Sequence, residues 1–136
     1  MRIEFKFMPY PLRSYYEFDG VREPIRYNGM FYWIFKGQTY QQDSSFSEIY
    51  CNGKKIASCL LFYEWTVVDC CGRNWQMIEE KRHNDWRADW TATNGNRIMT
   101  FIRTQCCKGT AVIRSDWSEN VGLLVGMVIP LCLSIG

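Results

Sequence analysis

Histidine is almost missing from this sequence: His83 is the single one among 136 residues. That excludes His-rich metal sites and leaves little material for His-dependent acid–base catalysis. Net charge is also nearly absent, at +2, which removes the wrapping of nucleic acid or another polyanion as a default role, so no nucleic-acid partner is expected. The sequence has no P-loop, no G-x-G-x-x-G and no G-x-S-x-G, the short signatures of phosphate cradles, dinucleotide sites and nucleophile elbows. Asp69, Asp85, Asp89 and Asp116 lack ligand spacing, and no D-x-D-x-D-G calcium loop occurs. The first residues, Met-Arg-Ile-Glu-Phe-Lys-Phe, lack the apolar run and small-residue cleavage site of a secretory signal. The expectation is therefore an intracellular protein, cytoplasmic or peripheral to a membrane, and not secreted.

Cysteine, by contrast, is plentiful. Seven are present (Cys51, Cys59, Cys70, Cys71, Cys106, Cys107 and Cys132), an odd number that leaves at least one unpaired within the chain. In a reducing compartment buried thiols act as small hydrophobes. Two Cys-Cys doublets fit zinc poorly, because neighbouring strand residues face opposite ways and zinc sites favour C-x2-C. Inert thiols are the preferred reading, with no metal and no cofactor expected. A Cys–His nucleophile pair between His83 and Cys70 or Cys71 is the competing reading; no local nucleophile signature supports it. His83 sits in the charged run Glu79-Glu80-Lys81-Arg82-His83-Asn84-Asp85, which reads as a solvated hairpin loop. Glu79 and Glu80, adjacent in sequence, face apart on a strand and do not make a catalytic pair.

Aromatic side chains make up 16% of the chain, enough to give one domain of this size a substantial core. Short alternating or aromatic-rich segments separated by glycine dominate residues 31–115. Ile3, Phe5 and Phe7 alternate with Glu4 and Lys6, as in a half-buried strand. From Trp86 to Thr93 the residues Trp86, Ala88, Trp90 and Ala92 take one face. Phe31 to Phe35 is apolar on both faces, which predicts a central or doubly covered strand. Leu60 to Val68 and Ile98 to Ile102 also read as strands. Asn28-Gly29, Asn52-Gly53 and Asn94-Gly95 are type I′ hairpin dipeptides, and Cys71-Gly72 and Lys108-Gly109 read as further turns. Residues 1–30, with Pro9, Pro11 and Pro24, read as an irregular opening stretch with edge strands.

The end of the chain changes character, since residues 121–136 carry no charge. Ser118 can cap a helix there, with Glu119 in its first turn and Pro130 kinking or ending it. A helix apolar all round has to be enclosed by protein or lipid. This run extends about 24 Å at 1.5 Å per residue, short of the roughly 30 Å hydrocarbon core. Enclosure by the protein's own sheet is the better reading. Trp65, Trp75, Trp86, Trp90 and Trp117 then fill the space around the helix. The predicted fold is mainly β: one domain, 1–136, with an antiparallel hairpin meander over 31–115 curled into a barrel-like sheet around an apolar helix over 119–136.

In Ser47–Ala57, Val67–Ile78 and Asn94–Arg103 the unit of strand, Asn/Asp-x-Gly-like turn and strand resembles the tubby C-terminal-like superfamily, which includes LURP-one-related proteins and phospholipid scramblases. The apolar tail from Val121 is similar to that family's central helix. The resemblance implies a barrel wrapped around its last helix, usually without a catalytic site, and in some members binding of phosphoinositide head groups through a basic patch. Scramblases are linked to calcium, which is not carried over here because the acidic loop is missing.

The basic stretch that fits such a role is Arg97, Arg103, Lys108 and Arg114, on adjacent predicted strands and a turn. Arginine pairs phosphate oxygens through a planar fork and lysine supplies a point charge. The same residues also fit an ordinary solvated strand face. The expected function is non-enzymatic binding of an anionic membrane lipid head group or a protein partner through this basic sheet surface. The alternative is a structural or accessory subunit of a membrane-associated or larger assembly, anchored by residues 121–136. A lipocalin-like carrier is a third option, disfavoured because the tail would occupy the cavity. Oligomeric state is not encoded in any feature of the chain.

Overall fold

The computed structural model describes residues 1–7, 14–60, 66–70, 72–81, 86–92, 97–105 and 108–133. Among these residues thirteen strands are followed by a short 3-10 helix and one α-helix. The strands are β1 (Arg2–Lys6), β2 (Tyr15–Phe18), β3 (Val21–Pro24), β4 (Arg26–Tyr27), β5 (Met30–Phe35), β6 (Gln38–Asp43) and β7 (Glu48–Cys51). They continue with β8 (Lys54–Leu60), β9 (Thr66–Asp69), β10 (Asn74–Lys81), β11 (Trp86–Ala92), β12 (Arg97–Gln105) and β13 (Lys108–Ile113). The 3-10 turn spans Ser115–Asn120 and leads directly into α1, Val121–Leu133.

One antiparallel sheet contains all thirteen strands, in the order β3-β2-β1-β13-β12-β11-β10-β9-β8-β7-β6-β5-β4. From β4 to β13 each strand pairs with its sequence neighbour, and β1 then pairs with β13 to bring the start of the chain back beside its end. The two sheet edges, β3 and β4, are consecutive in the chain and joined through Ile25, whose amide donates to the Ser14 carbonyl at 2.9 Å. The sheet is therefore a nearly closed barrel with a single seam. Across that seam the Tyr16 hydroxyl donates to the Ile34 carbonyl.

The barrel is filled by α1. Every residue from Val121 to Leu131 is buried, as expected of a helix with no polar face. Inward-facing rings of the sheet pack around it, with Trp33, Trp75 and Trp90 each 1% exposed. Trp33 lies parallel to Tyr40, centroids 6.0 Å apart, and its indole Nε1 donates to the Gly122 carbonyl at 3.0 Å. Trp75 and Trp117 meet edge to face at 5.2 Å. The structural reading of the tryptophans holds for Trp75, Trp90 and Trp117; Trp65 and the Trp86 side chain lie outside the described residues.

Pro130 lies inside α1 and does not end it, since the helix runs on to Leu133. Proline has no N–H, so the carbonyl four residues earlier, that of Gly126, loses its helical donor. Gln42 replaces it: the fully buried side chain, on the inner face of β6, donates from Nε2 to Gly126 O at 2.9 Å. A sheet residue thus satisfies the helix where the sequence interrupts it.

Several sequence expectations are corrected. The opening stretch supplies both edge strands, β3 and β4, as expected, but it is more regular than an irregular entry, with β1 in mid-sheet between β2 and β13. Phe31–Phe35 is neither central nor doubly covered. It forms most of β5, next to the short edge strand β4, and Ile34 is 44% exposed on the outer surface. Leu60–Val68 is not one strand, since Leu60 ends β8 and Thr66 begins β9. Lys108-Gly109 starts β13 and is no turn. Ser118 caps nothing, because it lies within the 3-10 turn whose cap position is Arg114. Of the Asn-Gly dipeptides, Asn52-Gly53 has the expected positive φ at both residues, 51° and 81°, whereas at Asn28-Gly29 only the glycine does. Asn94-Gly95 lies outside the described residues. Asp19-Gly20 and Lys36-Gly37 form the other turns with paired positive φ.

Candidate functional site

The four predicted cationic residues do not converge. Arg97 opens β12, and Arg114 follows β13 at the same end of the barrel, its amide bonded to Ile98 O at 3.0 Å. Arg103 and Lys108 lie at the other end, where Arg103 stands opposite Gly109. Six residues of strand separate Arg97 from Arg103, about 20 Å at roughly 3.3 Å per residue. Arg97 and Arg114 are also ion-paired within the chain. Arg97 Nη1 is 3.7 Å from Asp89 Oδ1, and Arg114 Nη2 is 2.8 Å from Asp116 Oδ2. A register shift between Trp90 and Thr91 sets Thr91 against Arg97, an irregularity that the alternation of the sequence does not announce.

A different cationic pair forms instead. In the β1–β13 ladder Lys6 stands directly opposite Lys108. Both are on the outer face, because Phe5 and Gly109 beside them are buried. Directly opposed strand residues hold their Cβ atoms about 5 Å apart, and like charges there are destabilising. Neither lysine takes part in an ion pair among the described residues. The nearest acid along β1, Glu4, accepts from the Thr110 hydroxyl at 2.6 Å. Arg103 lies at this end too, but it stands opposite the buried Gly109 and is half-buried, so it faces the inner side of the wall, away from the two lysines. Sequence reasoning found Lys108 and missed Lys6. The alternation of β1 did turn Lys6 outward, but nothing local reveals that the first strand pairs with the last.

Other features of the surface are structural. Arg73 pairs with Asp69 at 2.5 Å and lies 5.2 and 5.3 Å from the ring centroids of Trp75 and Trp117, so it pins the two indoles where the 3-10 turn meets the sheet. The Asp43 carboxylate caps the β6–β7 loop by accepting from the amides of Ser47 and Glu48 at 2.9 and 2.8 Å and from the hydroxyls of Ser45 and Ser47. Burial would raise its pKa, but these four donors outweigh burial and hold it below the usual carboxylate range.

Among the described residues no group of three or more His, Cys, Asp or Glu could hold a metal ion. His83, Cys71, Cys106 and Cys107 lie outside the described residues, as do the side chains of Glu79, Glu80 and Cys132. Cys70 is exposed and donates from Sγ to the Lys55 carbonyl at 2.8 Å. Cys59 is buried, and burial pushes its thiol from the ordinary 9.0 up to about 12. Burial likewise pushes Tyr40 from 10.0 up to about 12, with Cys51 adding to it. A folded pKa above the unfolded one means that the fold favours the protonated form. Stability from these groups is complete below about pH 9 and lost as the pH rises toward 12. The urea midpoint is expected to hold between pH 7 and 8.5 and to fall between pH 9 and 11.5. A midpoint unchanged at pH 11 would contradict this burial. In the same experiment a thiol reagent at pH 8 should label Cys70 at once and Cys59 only in urea.

Between α1 and the strands around Cys59, Val67 and Trp90 the cavity among the described residues measures about 10 Å³, the size of one water at most. No helix among the described residues is long and apolar enough to cross a membrane, and the side chains of Val121 to Leu131 are buried. No family model, curated protein or solved structure matches the chain.

Proposed function

We propose that this protein is a non-enzymatic binding module of tubby-like architecture that engages an anionic group, such as a phosphorylated lipid head group, through the outer sheet surface at Lys6 and Lys108. The observation that carries this reading is the direct opposition of two lysines with no acidic partner among the described residues. Like charges held about 5 Å apart by the ladder cost stability, and an anion placed between them turns that cost into binding energy. The pattern-level resemblance to the tubby C-terminal-like superfamily, some of whose members bind phosphoinositides through a basic patch, agrees with it. So does the helix-filled barrel, which leaves the outer surface as the place to bind. Arg103 lies at the same end but faces inward, and Arg97 and Arg114 lie at the other end.

Co-sedimentation with phosphoinositide-containing liposomes tests this reading. Near an anionic surface each lysine is worth about 1 kcal/mol, so the Lys6→Ala/Lys108→Ala double variant should bind about thirty-fold more weakly. Arg97→Ala/Arg114→Ala should bind nearly as the parent does. Raising salt from 50 to 300 mM should weaken the parent more than the lysine double variant, because screening acts on the charges that remain. Equal binding by the parent and the lysine double variant would refute the site.

A further inference from the structure

The seam of the barrel holds a second feature of opposite charge. On β3, Val21 stands opposite Phe18 and Glu23 opposite Tyr16. Phe18 and Tyr16 are buried inward-facing residues, so Val21 and Glu23 also point to the inner side of the wall. Because β3 is a sheet edge, these two side chains do not enter the core. They line a cleft of about 260 Å³ between the β2–β3 and β5–β6 hairpins, whose walls include the rings of Tyr16, Phe18 and Phe35. The rings of Phe18 and Phe35 meet across it at 6.2 Å, 66° apart.

The charges of the cleft do not cancel. Asp19, Glu23 and Lys36 line it. The Lys36 ammonium is already held by both carboxylate oxygens of Glu119 at 2.7 Å. Arg22, beside Glu23 in sequence, faces the other way, paired with Glu17 at 3.3 Å and stacked over the Tyr15 ring at 4.0 Å. Asp19 and Glu23 therefore have no cationic partner among the described residues, and Glu23 is half-buried. The Tyr16 hydroxyl registers this field: burial raises its pKa, and the charge of Glu23 raises it further.

A half-buried carboxylate beside aromatic rings is the setting in which a positive charge on an apolar stem binds: the carboxylate pairs the charge and the rings cover the stem. The volume is that of one long side chain. One apolar residue of the cleft wall, Val21, is 56% exposed, and the backbones of β3 and β5 are not paired with one another. We propose that the seam cleft is a docking site for an extended segment of a partner protein, which inserts one lysine or arginine side chain between Asp19, Glu23 and the three rings while an apolar neighbour rests on Val21. The site is separate from the lysine pair: Tyr15 pairs with Lys6 at one end of β2, and the Asp19-Gly20 turn follows Phe18 at the other.

The test is a titration of the 15N-labelled full chain with acetyl-Val-Lys-Val-amide, its norleucine counterpart and n-butylammonium, followed by NMR shifts. The lysine peptide should move resonances of residues 19–23 and 34–37, saturating at millimolar concentration. The norleucine peptide, of the same shape without charge, should bind at least tenfold more weakly. Glu23→Gln should weaken the lysine peptide at least fivefold with the rest of the spectrum unchanged. Lys54→Ala, remote from the seam, should change nothing. Equal binding of both peptides, no shift at 10 mM, or full affinity in the Glu23→Gln variant would overturn the proposal. Butylammonium binding as tightly as the peptide would overturn the assignment to a protein partner. If Glu23→Gln leaves affinity intact and makes the protein self-associate, the carboxylate guards a sheet edge and the proposal fails.

Discussion

Replacing Gln42 by leucine is expected to lower stability by about 2 kcal/mol, the range for leaving one buried acceptor without its donor. Leucine keeps most of the volume, so the change isolates the bond from Gln42 Nε2 to Gly126 O, 2.9 Å long. It also removes the glutamine's own Oε1, which is buried without a hydrogen-bond partner, and that removal offsets part of the loss. The sharper result concerns Pro130. Changing Pro130 to alanine restores an N–H in register with the Gly126 carbonyl and takes away a poor helix former, so this variant alone should be neutral or more stable. In the Pro130→Ala background Gln42→Leu should then cost less than about 1 kcal/mol, because the carbonyl keeps a helical donor. The coupling between the two positions, read from urea denaturation of the four proteins, should exceed about 1 kcal/mol. If the loss at Gln42 is the same in both backgrounds, the glutamine does not stand in for the donor missing at Pro130.

The same pair of residues marks where the sequence stops being legible. The uncharged run from Val121 announces an enclosed helix because no exposed helix tolerates it, and the aromatic alternation announces a sheet to enclose it. Both are properties of contiguous residues. Gln42 has no such signal: a glutamine in a strand reads as solvent-facing, and only the position of a helix 84 residues later makes it an inward donor. That Pro130, expected to kink or end the helix, is carried within it has the same origin. Closure of the barrel is also nonlocal. Nothing around Ile3 shows that it pairs with Ala111, so nothing in the sequence brings Lys6 beside Lys108. Arg97, Arg103, Lys108 and Arg114 looked like one patch because they are close in sequence along a hairpin. A hairpin strand carries its two ends apart as surely as it brings its partners together. The seam cleft was illegible for a related reason: Glu23 and Phe35 are ordinary residues until the edge of the sheet leaves a gap between their hairpins.

Gly122 should give the largest single effect. In a helix, glycine to alanine ordinarily gains about 1 kcal/mol, and the propensity of the sequence alone predicts that gain at both Gly122 and Gly126. The packing predicts otherwise. A Cβ at Gly122 would fall inside contact distance of three carbons of the Tyr40 ring. That ring is 7% exposed and lies parallel to Trp33 at 6.0 Å, while Trp33 is tied to the Gly122 carbonyl itself. Neither ring can retreat without breaking that bond or pushing the sheet outward, and such overpacking costs about 1–3 kcal/mol or more. Gly122→Ala should therefore destabilise by about 3 kcal/mol, and Gly122→Leu should fail to fold. At Gly126 the nearest atom to an added Cβ is Ile49 Cδ1 at 2.8 Å, the end of a flexible side chain, with Trp33 next at 3.1 Å. Gly126→Ala should cost about 1 kcal/mol or less, the helix preference offsetting part of the crowding. Tyr40→Leu removes the ring from above Gly122 and should recover part of the Gly122→Ala loss, although it is itself destabilising. Chemical denaturation of the three single variants and the Tyr40/Gly122 pair reads all of this. Gly122→Ala proving more stable than the parent would place the helix elsewhere than against the inner rings of β5 and β6, and the account of the barrel as a sheet closed on its own last helix would fall with it.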